Sequence, residues 1–162
     1  MVRKHLDPKI VNILLDSCAF DPKYSPENEA AQALFQRSEN GDLILHIAHS
    51  TQKEIEHPNT PEWVKQRANN FIYTIETSLV DSERKLKGQI LRILAGNGKP
   101  ENVSQDAQHV FEAQKYGSYF VTTDDRILKK KGDLCAICDI HIVKPSELVE
   151  ILQKYENERS GR

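Results

Sequence analysis

Four acidic side chains lie where predicted strands end or predicted helices begin. Asp16 directly follows the apolar run 10–15, and Asp124 follows another strand-like run after one intervening residue. Glu54 lies one turn into the helix predicted after a further strand, and Asp106 lies in the first turn of a later helix. In open parallel sheets, functional groups gather at the carboxyl edge of the strands. We therefore predict that these four carboxylates converge at one edge.

Clustered carboxylates of this kind indicate a site for a hard divalent cation. They raise one another's pKa by mutual repulsion unless a cation neutralises them. Oxygen ligands suit Mg²⁺ or Mn²⁺ rather than Zn²⁺. A pair of such ions can activate a water molecule and hold both the attacking and the leaving oxygen of a phosphodiester. Any one of the acids alone would be explained by the dipole of a helix N-terminus, so the hypothesis depends on their convergence.

The four acids belong to short motifs that follow one another in order along the chain. The motifs are Ile13-Leu-Leu-Asp16-Ser17, Ser50-x-x-x-Glu54-Ile55, Ser104-Gln-Asp106-Ala107 and Val121-Thr122-Thr123-Asp124. Their ordered set resembles PIN domains, a family of small metal-dependent ribonucleases that includes the toxins of many bacterial toxin–antitoxin pairs. The resemblance spans about residues 8–152.

This resemblance implies a role for each matching residue. The carboxylates that would bind metal and catalyse are Asp16, Glu54, Asp106 and Asp124. Thr122 would be a polar neighbour of the site, and Asp125 an additional or substitute ligand. Glu56 lies two residues from Glu54, and we predict that Glu54 faces the site while Glu56 points away.

The activity that the resemblance implies is a Mg²⁺- or Mn²⁺-dependent endoribonuclease that hydrolyses RNA phosphodiesters. If it is a toxin, it would also bind an antitoxin protein, and the helical segment 61–94 could support a homodimer. The alternative is a PIN-like scaffold that binds RNA or protein with little or no cleavage. A receiver-like phosphate acceptor fits less well, because Asp16 stands alone at the end of the first strand where an adjacent pair of acids would be expected.

Strand and helix patterns alternate along the chain, which predicts an α/β fold with a mostly parallel sheet. The PIN resemblance implies a three-layer α/β/α arrangement of that sheet and its flanking helices. Strand patterns cover 10–15, 43–47, 119–122 and 140–143, with a brief one at 78–80. Helical patterns cover 26–41, 50–57, 61–75, 86–94, 104–117 and a last helix that begins at Pro145. The predicted N-caps are Ser25, Ser50, Thr60 and Ser104.

Length and composition narrow the class of protein. A chain of 162 residues predicts one domain, whose tail at 157–162 is polar and expected to fray. The 22 basic and 24 acidic residues give a net charge of −2, so bulk charge does not select nucleic acid. Three cysteines are too few for a disulfide framework. Without a long apolar run or a signal-peptide core, no membrane association and a cytoplasmic location are expected.

A basic segment directly follows the fourth motif. It contains Arg126, Lys129, Lys130 and Lys131. We predict that Arg126, Lys129 and Lys130 contact the phosphates that flank the scissile one, which would position an RNA strand without reading its sequence.

The cysteines and histidines suggest weaker alternatives. Cys135-x-x-Cys138-x-x-His141 has partial zinc-ligand spacing but no second pair, which favours buried structural thiols. Cys18 is interpreted as a packing residue rather than a nucleophile. His46-x-x-His49 lacks the i, i+4 spacing of helical zinc sites. His109 is expected to be solvated or simply hydrogen-bonded.

Overall fold

The computed structural model describes residues 5–161, apart from the side chain of Ile72. The strands are β1 (Ile13–Leu15), β2 (Leu45–Ile47), β3 (Ile72–Tyr73), β4 (Tyr119–Val121) and β5 (His141–Val143). The helices are α1 (Glu27–Glu39), α2 (His49–Ile55), α3 (Glu62–Ala68), α4 (Asp81–Ala95), α5 (Ser104–Tyr116), α6 (Asp125–Leu128), α7 (Lys131–Ile137) and α8 (Pro145–Ser160). Short 3₁₀ turns precede β1, follow it and precede α5.

The five strands form one parallel sheet in the order β3-β2-β1-β4-β5. Side chains of successive residues point to opposite faces, so Ile13 and Leu15 enter one core and Leu14 enters the other. The first core is completed by α1, α3 and α8, and the second by α4, α5 and α7. The predicted α/β class and parallel sheet are therefore confirmed, with helices on both faces.

The strand order creates a switch point between β1 and β4. The chain leaves β1 for β2 and β3 on one side, then returns to β4 and β5 on the other side. Connections on the two sides diverge there, which opens a crevice at the carboxyl ends of these strands. Asp16 follows β1 and Thr122 follows β4, and the backbone N–H of Asp16 donates to the carbonyl of Val121 at 2.9 Å. The fold thus brings the first and fourth motifs together.

Two predictions for residues 61–80 were wrong. The helix predicted over 61–75 ends at Ala68, with Asn69 as its C-cap. The apolar residues that continue the helical spacing after it include those of strand β3. Phe71 packs against the rings of Phe20 and Phe35 instead of continuing the helix. Residues 78–80 form no strand; they lead into α4, where the N–H of Val80 donates to Glu83.

The predicted caps also need correction. Helix α1 begins at Glu27 with Pro26 in the N-cap position, and the Ser25 hydroxyl donates to the Glu29 side chain instead of capping the helix. Helix α2 begins at His49, which places Ser50 inside its first turn. Helix α8 continues through Ser160 and thus includes residues 157–160 of the tail, whereas Arg162 lies outside the described residues. Arg159 on this last turn pairs with Asp7.

Thr60 and Ser104 do not act as side-chain caps either. Helix α3 begins at Glu62 with Pro61 in the N-cap position, and the Thr60 hydroxyl reaches the carbonyl of Glu54 at 3.4 Å. Helix α5 begins at Ser104 itself, with Val103 in the N-cap position. The predicted starts of α1, α2, α3 and α5 were nevertheless within one residue of the observed ones, whereas α4 begins at Asp81, five residues before its predicted start.

A buried glutamate joins α1 to the start of α8. Glu27 accepts hydrogen bonds from the backbone N–H and the hydroxyl of Ser146 at 2.9 and 2.8 Å. We expect Glu27→Ala to lower the free energy of unfolding by about 1–3 kcal/mol, because a helix N-terminus loses its buried acceptor. Urea denaturation measures this loss. The control is Glu29→Ala, an exposed acid on the same helix, and a comparable loss in both variants would contradict the assignment.

No helix within residues 5–161 combines the length and apolar character needed to cross a membrane.

Candidate metal centre

Asp16 is a buried acid held by short hydrogen bonds. Its side chain is 4% exposed; Oδ1 accepts from the N–H of Ser17 at 2.9 Å and Oδ2 from the Thr122 hydroxyl at 2.8 Å. The Thr122 hydroxyl also accepts from the N–H of Asp124 at 3.1 Å, which ties the loop after β4 to the loop after β1. Burial raises the pKa of Asp16, although His109 and Thr122 act in the opposite direction. An ionised Asp16 would therefore gain from a nearby cation.

Glu54 approaches Asp16 from helix α2. Its Oε2 accepts from the Ser17 hydroxyl at 2.7 Å and lies 3.1 Å from Nε2 of His109. Burial alone would raise the pKa of Glu54, but the contacts with His109 and Ser17 outweigh it and hold the pKa below its usual value. Glu56 is exposed and accepts from Gln52. Glu54, and not Glu56, thus faces Asp16, as predicted.

His109 completes a compact group that the sequence analysis did not assign. One ligand atom each from Asp16, Glu54 and His109 lies within 4.8 Å of the other two. The side chain of His109 is 2% exposed, so of the two expected environments, solvated or hydrogen-bonded, the second is found. Burial lowers the pKa of His109, yet the contact with Glu54 and the charges of Asp16 and Glu112 raise it overall. The sequence feature that could have indicated His109 as a site residue is its position one helical turn after Asp106 on α5.

Arg126 bridges the other two predicted acids. Its Nη2 lies 3.3 Å from Oδ2 of Asp106 and 3.2 Å from Oδ2 of Asp124. Asp124 also caps α6 by accepting from the N–H of Arg126 at 2.9 Å. Burial raises the pKa of Asp106, the charges of Asp124 and Asp16 add to this, and Arg126 opposes it. Asp106 is therefore close enough to Asp124 and Asp16 for their charges to raise its pKa.

The structure brings the predicted acids to one edge in two groups. Asp16 and Glu54 form the compact group with His109, whereas Asp106 and Asp124 share Arg126. Asp125 is exposed at the start of α6 and does not belong to the compact group found among residues 5–161.

The residues of the predicted basic segment differ in exposure and in their partners. The Arg126 guanidinium is 62% exposed but is directed at two aspartates rather than standing free. Lys129 is exposed and Lys130 is half-buried on the turn that follows α6. Lys131 lies 3.3 Å from Glu147.

The alternative sites do not assemble in the described part of the chain. Burial and the nearby Asp16 raise the pKa of the Cys18 thiol to about 12, which disfavours a nucleophilic thiolate. Burial and the neighbouring Cys135 raise the pKa of Cys138 to about 11. His49 lies 3.1 Å from Glu112 on the side of α2 that faces α5. None of these residues joins a group with metal-ligand distances within residues 5–161.

The donor set fits a divalent cation. Asp16 is buried with three neutral hydrogen-bond donors, the N–H of Ser17, the Thr122 hydroxyl and the Cys18 thiol, and needs a positive charge when ionised. Oδ2 of Asp106 is buried and accepts no hydrogen bond from the described residues, although Arg126 lies at ion-pair distance. Carboxylate oxygens in such a cluster are typical ligands of Mg²⁺ and Mn²⁺.

An open cleft of about 740 Å³ borders the compact group. Its wall includes Ser17, Cys18 and Glu54, and two lysines, Lys23 and Lys53, also line it. Its volume lies within the range of small-molecule binding sites.

Compared with models of known protein families and with curated proteins, the chain matches none. The class of site is thus defined by its own geometry: an acidic, partly buried centre at the switch point of a parallel α/β sheet.

Proposed function

We propose that this protein is a Mg²⁺- or Mn²⁺-dependent endoribonuclease of PIN type with a three-layer α/β/α fold. The observation that supports the proposal is a compact group that contains Asp16 and Glu54, together with Asp106 and Asp124, which Arg126 joins in a second group at the same edge of the sheet. These are the acids of the four ordered motifs, and they come from four separate segments of the chain. A cytoplasmic toxin that an antitoxin neutralises is one form of this function.

Two residues orient the carboxylates that would hold the cation. Thr122 donates to Asp16, and Ser17 donates to Glu54, so each acid keeps its remaining lone pairs for a metal ion. A bound divalent cation would supply a more acidic water molecule and neutralise charge on the phosphodiester. The chain itself contributes orientation, burial and the exclusion of competing hydrogen bonds.

Arg126 has a second role in this proposal. In the metal-free protein it neutralises Asp106 and Asp124, which would otherwise repel each other. Its guanidinium is largely exposed, so it can turn from these acids to a phosphate of the substrate once a cation takes its place. The sequence prediction that Arg126 contacts RNA thus applies to the loaded state.

The open cleft is proposed to receive single-stranded RNA. Lys23 and Lys53 line it, and Lys129 is exposed on the turn after α6. These positive side chains would hold the phosphates that flank the scissile bond without reading the bases.

Lys129→Ala should weaken RNA binding without loss of metal. We expect the slope of log affinity against log salt to fall by about 0.7, the value for one phosphate contact with a single strand. A salt titration of binding to a fluorescent single-stranded RNA measures this. The matched control is Lys154→Ala, an exposed lysine far along α8 from the carboxyl edge. Equal slopes for both variants and the parent would show that Lys129 does not contact the RNA.

A cleavage screen tests the proposed function itself. The purified chain is incubated with a panel of mixed single-stranded RNAs in Mg²⁺, in Mn²⁺ and in a chelator. We expect internal cleavage of at least one RNA that requires the cation. If the protein binds these RNAs but never cuts them in either metal, the scaffold alternative replaces the nuclease.

A further inference from the structure

A chain of buried hydrogen bonds runs from α5 through α2 and back to His109. The Ser50 hydroxyl donates to Oε2 of Glu112 at 2.8 Å and lies 2.8 Å from Nδ1 of His109. Glu112 is 1% exposed; its other oxygen accepts from Gln108 and faces His49 at 3.1 Å. This network holds the His109 ring from the side opposite to Glu54.

The network determines which ring nitrogen of His109 carries a proton. A hydroxyl has one proton to donate, and Ser50 gives it to the Glu112 carboxylate. Towards His109, Ser50 can therefore only accept, which assigns a hydrogen to Nδ1. The longer contact of Nδ1 with the Thr51 hydroxyl, at 3.4 Å, is compatible with the same assignment.

This assignment leaves Nε2 of His109 directed into the acidic group. Nε2 is buried and has no hydrogen-bond partner of suitable geometry in the described part of the chain, although Oε2 of Glu54 lies 3.1 Å away. A lone pair beside a carboxylate is unfavourable unless a positive charge lies between or beside them. Either a second proton on the ring or a metal ion can supply that charge.

We propose that His109 is a nitrogen ligand of the divalent cation, held in its ligating tautomer by Ser50 and Glu112. The proposal rests on the proposed function, in which Asp16 and Glu54 hold the same ion. Its ligand atom lies with theirs inside 4.8 Å, and a ligating histidine ordinarily donates its other N–H to a fixed acceptor. The Ser50–Glu112 pair is such an acceptor.

A nitrogen ligand changes which cation the site prefers. Mg²⁺ takes oxygen ligands almost exclusively and gives up its waters reluctantly, whereas transition-metal ions accept imidazole. The three-residue group, with two carboxylates and one imidazole, should therefore bind Mn²⁺ more tightly than Mg²⁺. Replacing His109 should reduce that preference, because it removes the nitrogen donor, which favours Mn²⁺ over Mg²⁺.

Pulsed electron paramagnetic resonance of bound Mn²⁺ tests the proposal on the full chain. We expect the parent to show coupling of Mn²⁺ to a nitrogen nucleus, altered when histidine is labelled with ¹⁵N, and His109→Gln to lose it. The control is His57→Gln, an exposed histidine that lines the same cleft and should keep the coupling. By calorimetry, His109→Gln and Ser50→Ala should weaken Mn²⁺ binding by about 10–100-fold and Mg²⁺ binding less.

The outcomes separate this inference from the proposed function. The role of His109 would be overturned if Mn²⁺ bound to the parent without nitrogen coupling, or if the coupling persisted in His109→Gln. Either result would leave intact the proposal of a nuclease whose metal ion is held by carboxylates. No binding of Mn²⁺ to the parent would overturn both. The labelled parent needs no substitution, so the test holds even where a variant fails to fold.

Discussion

The Asp16→Asn variant is expected to fold and to lose RNA cleavage by more than about 10²-fold, the scale on which removing one electrostatic contact in an active site acts. The substitution keeps the size of the side chain and one acceptor for the N–H of Ser17, but removes the charge that the cation needs. Asp124→Asn should behave in the same way. The measurement is the rate of cleavage of the best RNA of the panel in saturating Mn²⁺.

The control for this loss is Asp125→Asn, a neighbouring acid that is exposed at the start of α6. It should cleave RNA within a few-fold of the parent rate. If Asp16→Asn cleaves as well as the parent, the proposed mechanism is wrong. If Asp125→Asn alone is inactive, the ligand set has been misassigned to Asp124.

The same Asp16→Asn variant should be at least as stable as the metal-free parent at neutral pH. Burial raises the pKa of Asp16 in the folded state above its ordinary value of 3.8, so the folded protein holds this proton more tightly than the unfolded chain. The parent therefore loses stability as the pH rises from about that value through the raised pKa, and asparagine does not. Urea denaturation from pH 4 to 8 should show an advantage of the variant that grows with pH. An advantage that shrinks with pH would contradict this account.

Addition of Mn²⁺ should raise the melting temperature of the parent. A cation at about 100 times its dissociation constant stabilises the folded state by about 2.7 kcal/mol, because it binds the folded state alone. For a chain of this size, that corresponds to about 5–10 °C. The expected heat of binding and the shift are both measurable, by titration calorimetry and by differential scanning calorimetry.

The matched pair for this prediction is Glu54→Gln and Glu56→Gln. These acids are two residues apart on and just after α2, but only Glu54 faces Asp16. Glu54→Gln should lose most of the shift in melting temperature, and Glu56→Gln should keep it. An unchanged melting temperature of the parent in millimolar Mn²⁺, with no heat of binding, would contradict a metal centre at this edge.

The sequence could predict those features that depend on local pattern and on strand ends. Asp16 and Asp124 follow apolar strand residues directly or nearly so, and parallel strands bring their ends to one edge. The alternation of strands and helices likewise led to the parallel sheet. By contrast, β3 has two residues and lies within a helical spacing pattern, so its pairing with β2 could only be seen in three dimensions.

The features that the sequence could not predict depend on contacts between distant segments. Ser50 and His109 are 59 residues apart, and their contact follows from the packing of α2 on α5 rather than from either segment alone. Periodicity showed that His109 follows Asp106 by one turn, but not that its ring is buried between Glu54 and Ser50. The pairing of Arg126 with Asp106 depends in the same way on where α5 begins relative to β4.

Anomalous diffraction from crystals grown with Mn²⁺ tests the central claim most directly, because it locates the ion without reference to activity. Data collected on both sides of the manganese absorption edge should show a peak next to the carboxylates of Asp16 and Glu54 and the Nε2 atom of His109. Occupied manganese sites elsewhere on the chain, with no peak among these three side chains, would contradict the metal centre and the nuclease built on it.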